Sequence, residues 1–495
     1  VALIGSLDGD VTRQSDSSTL ISNNDRASIA QTIASLEDLP TTPITLAIRP
    51  EFIEGLDRST LEDGDLLVRL QSTQSLNILS NTYVDVDQAL SDQSESIFTD
   101  QLRLGEDTLR LLLPTYKATR DIWFQQTPLF SGGAQILRNL GVRNVVMLRE
   151  ASQATKGAQV DRPPTGLVEL QLPDGGVIDA AFVDIKLSAA LTRGSQNPRG
   201  GAYLVAQQIL AELKMLRSEL TTNDFSTSDH GVILSTEFGA LPSTAMLTAL
   251  RATLNANSAI TFVSLGDLLS TMTHEIKDGA RLTLELAQDS DIPPIGHQLF
   301  TQTQERVDAY ASMLTPGDAQ AAQWKDLLSV MSARTLSSAQ RQSYVDAIWL
   351  QTFLLGEAIS TPTSTTFTLG GRESSLRISL RNDNDYDVRV RVRLTSSKLT
   401  FSAAEQVVLL PSGMTTSIEV PVVAKSNGSF PVSLQLFSPS GNVAVGRSTT
   451  LTARVNALAG LGQLVTGLAL LLLIIWWVYH LRRASRRKLN LTSEA

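Results

Sequence analysis

The chain has 495 residues, of which 42% are hydrophobic and 18% are charged, which is enough apolar material for the cores of several globular domains. The formal net charge is −9, and residues 480–495 hold five basic residues and one acidic residue, so the preceding part is more acidic still. An acidic surface repels nucleic acid, and the absence of cysteine excludes disulfides, thiolate metal sites and cysteine nucleophiles.

Residues 1–275 alternate short apolar strands with helical segments. This repeated order indicates a parallel sheet, and about eight strands in this length favour a TIM-like (β/α) barrel, although a doubly wound sheet gives the same local pattern. The predicted strands are Val1–Gly5, Ile44–Ile48, Leu76–Leu79, Asp121–Phe124, Val145–Leu148, Val177–Val183, Val232–Leu234 and Ile260–Val263. Predicted helices include Asn24–Leu39, Gly132–Leu140, Gly201–Leu220 and Ser243–Ala256.

An inserted hairpin interrupts this alternation. Leu167–Leu172 and Val177–Phe182 are two apolar runs that flank the turn residues Asp174, Gly175 and Gly176. A short Asp-Gly turn between two such runs is typical of antiparallel strands.

Residues 276–360 are predicted to be a helical connector. Apolar side chains recur every three or four positions from residue 298 to residue 358, which is the spacing of amphipathic helices that pack on a neighbour. We interpret Trp324, Trp349 and Phe353 as packing residues within these helices.

Residues 361–456 have the pattern of an all-β domain. Val388, Val390 and Val392 alternate with arginines, and further alternating runs follow, separated by turn signals such as Ser426-Asn427-Gly428. About seven short strands, each with one apolar face, predict an antiparallel β-sandwich of immunoglobulin-like type.

Residues 457–479 are predicted to form one transmembrane helix, because 23 uncharged residues rise about 34 Å, enough to cross a hydrocarbon layer of ~30 Å. A basic tail, residues 480–495, follows at once. Since positive charge favours the cytoplasmic side, we expect a cytoplasmic tail and an extracytoplasmic N-terminal ectodomain at the cell membrane. The predicted anchor residues are Trp476, Trp477, Tyr479, Arg482, Arg483, Arg486, Arg487 and Lys488.

This topology requires export of everything before the membrane helix. The sequence begins at Val1, without a start methionine or a signal peptide. We therefore expect a removed or missing N-terminal piece upstream of Val1.

Polar residues at predicted strand ends are the candidate ligand-binding rim of the barrel, because parallel (β/α) barrels place their chemistry at the carboxyl ends of their strands. Asp85 with Asp184, or Glu150 with Glu237, could form the carboxylate pair of a glycosidase, but sequence spacing does not give their separation. The rim candidates are Arg49, Asp85, Asp87, Asp121, Trp123, Arg149, Glu150, Asp184 and Glu237.

No motif for metal, nucleotide or serine-nucleophile chemistry stands out. The four histidines, His230, His274, His297 and His480, do not have the three- or four-residue spacing of a metal-binding motif. The chain has no GxSxG motif, and its Gly-rich stretches lack the lysine of a phosphate loop. We therefore predict no cofactor, no metal and no identified catalytic residue.

Several segments resemble a family of uncharacterised actinobacterial envelope proteins encoded beside a MurJ/MviN-type lipid II flippase. The resemblance is most specific in residues 374–394 and 417–446, and looser in ITLAIRPEFIEGL at 44–56 and NTYVDVDQAL at 81–90. It implies a place in the cell envelope and a role in cell-wall precursor handling. The barrel is also distantly similar to polysaccharide deacetylases, but their metal-binding His-x-x-x-His is missing, so their activity is not carried over.

The sequence thus favours a non-catalytic, membrane-anchored envelope protein that binds a cell-wall glycan or an integral membrane partner, such as a lipid II flippase. One alternative is a membrane-tethered carbohydrate-active hydrolase that uses rim carboxylates. A third hypothesis is an accessory subunit of a larger transport or secretion complex in the membrane.

Overall fold

The computed structural model describes residues 1–73, 76–86, 88, 92–149, 151–156, 164–197, 201–222, 227, 229–257, 260–288, 297–362, 366–455 and 459–488. The chain divides into two compact units. The first unit comprises Val1–Thr301 and Lys325–Ala347, and the second comprises Gln302–Trp324 and Ile348–Ala495.

The first unit contains two sheets built on parallel strands. One has the order β3-β2-β1-β9 and the other the order β4-β5-β8-β7-β12-β6. The strands of these sheets are β1 (Ala2–Leu7), β2 (Ile44–Ile48), β3 (Leu76–Leu79), β4 (Ile122–Gln125), β5 (Asn144–Met147), β6 (Thr155–Lys156), β7 (Val168–Gln171), β8 (Val177–Phe182), β9 (Ile233–Leu234) and β12 (Thr283–Leu286). Strands β10 (Ile276–Lys277) and β11 (Ala280–Arg281) form a separate antiparallel pair. Strands β7 and β8 form the predicted antiparallel hairpin.

Helices follow most of these strands, as the alternation in the sequence predicts. Several have N-terminal signals that the sequence displays: Ser22 caps α1, Thr60 caps α3, and Pro50 is the first residue of α2. The helices are α1 (Asn23–Asp38), α2 (Pro50–Arg58), α3 (Leu61–Gln71), α4 (Asp92–Leu112), α5 (Ser131–Asn139), α6 (Ile185–Gln196), α7 (Gly201–Thr222), α8 (Thr244–Asn255) and α9 (Leu265–Thr271). A 3-10 turn covers Ala151–Ala154.

Successive residues of the parallel strands enter two different apolar clusters. Leu3 and Leu46 pack in an outer cluster that includes residues of α1, α2, α7 and α8. Their neighbours pack in an inner cluster to which both sheets contribute. Inner-cluster members on the strands are Ala2, Ile4, Ala47, Leu79, Ile122, Phe124, Val146, Ala181 and Ile233.

The two sheets meet at single parallel bridges, Leu79 with Thr119 and Val183 with Ile233. A continuous hydrogen-bonded ladder around a closed barrel is not found in the part of the chain that the structure describes. The β/α prediction for this region is confirmed, whereas closure into a TIM-like barrel stays a prediction. The predicted strand Ile260–Val263 is wrong: this segment joins no strand ladder, and Val263 donates its N–H to the carbonyl of Val1 at 3.0 Å.

Three further helices follow the first-unit strands: α10 (His297–Ala311), α11 (Ala319–Met331) and α12 (Ser338–Glu357). They agree with the helical pattern at 298–358. The division of the structure differs from the predicted boundary at 275/276, because β12 pairs with β7 and so extends the sheet of the first unit. Within the second unit, Trp324 is buried as a packing residue, whereas Trp349 and Phe353 are exposed.

The second unit contains a two-sheet β-domain, as the alternating pattern predicts. The sheets have the orders β13-β15-β19-β17 and β14-β21-β20-β16-β18. In β16, buried valines alternate with arginines, so one face of the strand is apolar. The strands are β13 (Ile359–Ser360), β14 (Thr366–Leu369), β15 (Glu373–Asn382), β16 (Val388–Thr395), β17 (Leu399–Phe401), β18 (Glu405–Leu410), β19 (Thr415–Ala424), β20 (Gly428–Phe437) and β21 (Ala444–Val455).

The last element is α13 (Ala459–Lys488). Among the described residues, one helix is long and apolar enough to cross a membrane, over Val465–Arg482. Its large apolar side chains, such as Leu471 and Ile475, are exposed. This helix fits a single-pass membrane anchor, because only a non-aqueous surrounding would remove those side chains from water.

Candidate functional site

The carboxyl ends of β1, β2 and β3 converge on one arginine. Arg49, the first residue after β2, donates from Nε to Oδ1 of Asp8 at 3.0 Å. Its Nη1 donates to Oδ1 of Asn81 and to Oγ1 of Thr82, both at 3.0 Å. Because the Arg49 side chain is only 12% exposed, this guanidinium holds three neighbouring strand ends in fixed positions.

A second arginine completes the group, which we call the Arg49 cluster: Asp8, Arg49, Asn81, Asp85 and Arg334. Nη2 of Arg49 lies 3.8 Å from Oδ1 of Asp85, and Nη2 of Arg334 lies 2.6 Å from its Oδ2. The backbone N–H of Arg334 also donates to the carbonyl of Asp85 at 2.6 Å. The Asp85 carboxylate is therefore bound between two guanidinium groups.

Asp8 is the carboxylate of the cluster whose pKa the surrounding protein shifts. Desolvation by the surrounding protein raises the pKa of Asp8, and the charge of Asp85 adds to this effect, whereas Arg49 opposes it. Its side chain is nevertheless 31% exposed. A carboxyl group with a raised pKa that stays open to solvent is suited to proton transfer or to donating a hydrogen bond to a ligand.

Glu51 fixes the backbone segment next to the Arg49 cluster. It is buried, and its Oε1 accepts hydrogen bonds from the Oγ1 of Thr12 at 2.8 Å and the N–H of Arg13 at 2.9 Å. The N–H of Thr12 also donates to it, and burial raises the pKa of Glu51. These bonds fix the chain just after β1, and thereby the position of Asp8.

The side-chain amide of Gln126 links the chain at the ends of β1, β4 and β9. Nε2 of Gln126 donates to Oγ of Ser6 at 3.0 Å and to the carbonyl of Phe238 at 3.4 Å. The N–H of Ser6 donates to the carbonyl of Gly239 at 2.6 Å. This network places Phe238, whose side chain is 74% exposed, beside the strand end that carries Asp8.

Of the predicted rim residues, the structure brings Arg49 and Asp85 together. Trp123 is instead a core residue: it is buried, packs on Phe98 and donates from Nε1 to Gln125 at 2.8 Å. Asp121 precedes β4, so it lies at the amino end of that strand, away from the rim.

The remaining rim candidates do not form the expected carboxylate pairs. Asp184 caps α6, accepting the N–H of Leu187 at 2.9 Å, so the Asp85–Asp184 pair is not supported. Arg149 and Glu237 are exposed after β5 and β9, and within the described residues neither is hydrogen-bonded or ion-paired to the Arg49 cluster. Asp87 and Glu150 lie outside the described residues, so the Glu150–Glu237 pair stays a prediction.

Four residues of the site were not predicted from the sequence: Asp8, Asn81, Phe238 and Arg334. Asp8 directly follows β1, but the predicted strand ended at Gly5, which hid this position. Phe238 follows the rim candidate Glu237 and could have been found by extending the search one residue. Arg334 lies 249 positions from Asp85, and no local pattern indicates their contact.

The Arg49 cluster is a poor metal site, because both of its carboxylates contact guanidinium groups whose charge repels a cation. It fits hydroxyl- or amide-bearing ligands better, since Arg, Asp and Asn side chains together offer donors and acceptors. The three-ligand group that the described residues contain lies elsewhere: Glu169, Asp179 and His274.

Comparison with solved structures gives similarities at low identity. A 4-α-glucanotransferase from Thermococcus litoralis has 10% identity and a TM-score of 0.43, over 88% of this chain and 87% of that chain. A maltose-forming amylase from Pyrococcus sp. ST04 has 11% identity and a TM-score of 0.38, over 66% and 59%. A PapD-like domain of human CEP192 has 15% identity and a TM-score of 0.15, over 20% and 86%. At these scores the similarities support no conclusion about activity.

Sequence comparison gives a family. No curated protein matches the sequence. The sequence model of a family of unknown function, DUF6049, matches residues 235–486, just over half of the chain. The matched part includes Phe238, Arg334 and all but the last two residues of α13, whereas Asp8, Arg49 and Asp85 precede it. This match confirms the expectation of an uncharacterised family.

Proposed function

The chain belongs to the DUF6049 family of unknown function, and from its own structure we propose that it is a membrane-anchored glycan-binding protein. In this proposal, the parallel strands of the first unit close into a (β/α) barrel, and the ligand binds at their carboxyl ends. The anchor is α13, with the basic tail in the cytoplasm and residues 1–456 outside. The ligand class is a cell-wall glycan or its precursor.

One observation carries the proposal: the backbone of Phe238, whose side chain is exposed, is linked through Gln126 to Ser6, two residues before Asp8 on the same strand end. Sugars present hydroxyl groups that accept from and donate to planar polar side chains, and apolar C–H faces that pack on aromatic rings. Asp8 and Arg49 provide the polar part, already oriented by the protein. Phe238 provides the apolar part.

A hydrolase is the second candidate, favoured by the raised pKa of Asp8 beside Asp85. A protonated Asp8 could give its proton to the leaving oxygen of a glycosidic bond. Asp85, or a water that it activates, would then attack the sugar carbon. The two guanidinium groups that contact Asp85 weigh against this role, because they occupy the carboxylate oxygens that would have to reach the water or the sugar carbon.

Binding of the full chain in detergent to an array that includes soluble peptidoglycan fragments tests the proposal. We expect retention of a glycan, and Phe238→Ala should weaken binding by about tenfold, which corresponds to ~1.4 kcal/mol. Tyr203→Ala is the matched control, because Tyr203 is also an exposed aromatic residue, on α7. Retention of no glycan, or equal binding by both variants, would contradict the proposal.

The same samples distinguish binding from hydrolysis. New reducing ends that appear with the wild-type chain, and disappear in Asp8→Asn, would favour the hydrolase. An intact glycan after prolonged incubation would favour binding alone.

A further inference from the structure

The hairpin of β7 and β8 places two carboxylates directly opposite each other. Glu169 pairs with Asp179 in the antiparallel register. Side chains of directly opposed residues lie on the same face, where two like charges destabilise a sheet unless a cation balances them. Nη1 of Arg281 donates to Oε1 of Glu169 at 3.0 Å and supplies one positive charge.

An imidazole completes the group. Nε2 of His274 lies 2.9 Å from Oδ1 of Asp179. One ligand atom each from Glu169, Asp179 and His274 can be chosen so that all three lie within 4.8 Å of one another. With a neutral imidazole, the two carboxylates and Arg281 leave one negative charge unbalanced.

The backbone holds His274 in place from both sides. The N–H of Leu167 donates to the carbonyl of Thr273 at 2.9 Å, and the N–H of Glu275 donates to the carbonyl of Leu167 at 2.8 Å. The Glu275 carboxylate is occupied by the N–H groups of Thr165 and Gly166, so it does not compete for the same ligand. His274 is therefore fixed against the hairpin before any ligand arrives.

From this geometry we propose a divalent transition-metal site with Glu169, Asp179 and His274 as ligands, and Zn²⁺ as its best-fitting occupant. One imidazole nitrogen and two carboxylate oxygens form a donor set that suits Zn²⁺. Glu169 can keep Oε1 on Arg281 and offer Oε2 to the ion. Since Zn–ligand bonds are about 2.0–2.2 Å, small side-chain rotations bring the three atoms around one ion.

The site is separate from the Arg49 cluster. Asp179 pairs with Asn144, the first residue of β5, so it lies near the amino end of these strands. The metal proposal therefore does not depend on glycan binding. Its expected role is to cross-link the hairpin to the segment after α9.

Calorimetric titration of the chelator-treated full chain in detergent with Zn²⁺ tests the proposal. We expect one ion per chain, with a rise in the thermal unfolding temperature when Zn²⁺ is bound. His274→Ala and Asp179→Asn should each weaken binding by about tenfold or more. Asp174→Asn is the matched control, because Asp174 is an exposed carboxylate in the turn of the same hairpin.

Circular dichroism without metal shows whether each variant is folded. Should His274→Ala fail to fold, Glu169→Gln takes its place, since glutamine keeps the size of the side chain. A wild-type chain that binds no Zn²⁺, or folded ligand variants that bind it as the control does, would overturn the proposal.

Discussion

Charged side chains at the strand ends differ in how many of their hydrogen bonds are made within the protein. Glu51 is buried and accepts hydrogen bonds from two backbone N–H groups and a hydroxyl, so it has little capacity left for a ligand. Asp8 shares Arg49 with other acceptors and stays partly open to solvent. This contrast separates a residue that positions the site from one that can contact what binds there.

The pair of Arg26 and Asp63 predicts a specific acid sensitivity. Hydrogen bonds from Arg26 hold the pKa of Asp63 below its ordinary value of 3.8. A lowered pKa means that the stabilisation is fully present above pH 3.8 and is lost as the pH falls below it. Asp63→Asn should therefore lower the free energy of unfolding near neutral pH by about 1–2 kcal/mol and reduce the loss of stability in acid.

Urea unfolding of both proteins over a pH series measures this effect. Asp100→Asn is the control, because Asp100 forms an exposed pair with Arg103 on α4, and such pairs contribute little. An equal acid-dependent loss in Asp63→Asn and in the wild type would show that the Arg26–Asp63 pair is not its source.

At the scale of elements, α4 determines where the chain runs after β3. The N–H of Tyr83 donates to the carbonyl of Gln101 on this helix at 2.9 Å. Gly105, also on α4, faces the same segment: a Cβ there would overlap the carbonyl oxygen of Asn81 and lie 2.9 Å from the nitrogen of Tyr83. Close packing of α4 therefore requires glycine at position 105. This packing positions Asn81 to accept the hydrogen bond from Arg49.

Gly105→Ala should force α4 away from this segment and lower the free energy of unfolding by about 1–3 kcal/mol. It should also weaken glycan binding, because Asn81 is a partner of Arg49. Gly64→Ala on α3 is the matched control: its Cβ meets open space, so we expect a gain of about 0.5–1 kcal/mol. Chemical denaturation of the two variants checks both signs, and similar effects would exclude the packing explanation.

Elements with local signals could be predicted, whereas contacts between distant segments could not. Ile44–Ile48 and Leu76–Leu79 have the predicted bounds, since buried parallel strands are short apolar runs between polar residues. The sequence places Trp123 among the rim candidates, because it does not show which residues of a strand point into the core. The contact of Arg334 with Asp85 is set by packing over a long sequence distance, for which one sequence contains no local signal.

At the scale of the whole molecule, the residues that the family model matches include segments with different structural roles. Residues 235–486 include the end of the first unit, the β-domain and α13. The proposed glycan site combines Phe238 and Arg334 from the matched part with Asp8 and Arg49 from outside it. The proposed function thus requires the chain before residue 235, and the anchor requires the chain after residue 455.

The exposed apolar side chains of α13 predict that the chain is an integral membrane protein. Expressed in cells, it should stay with the membrane fraction after an alkaline carbonate wash. Replacing both Leu472 and Ile475 by arginine should release it, because each central arginine costs about 2.5–3.5 kcal/mol of insertion free energy. Leu61→Arg should leave the chain in the membrane fraction, since Leu61 is an exposed leucine on α3.

The orientation of the chain is tested separately. Protease added outside intact cells should digest residues 1–455; digestion confined to the basic tail would reverse the proposed orientation.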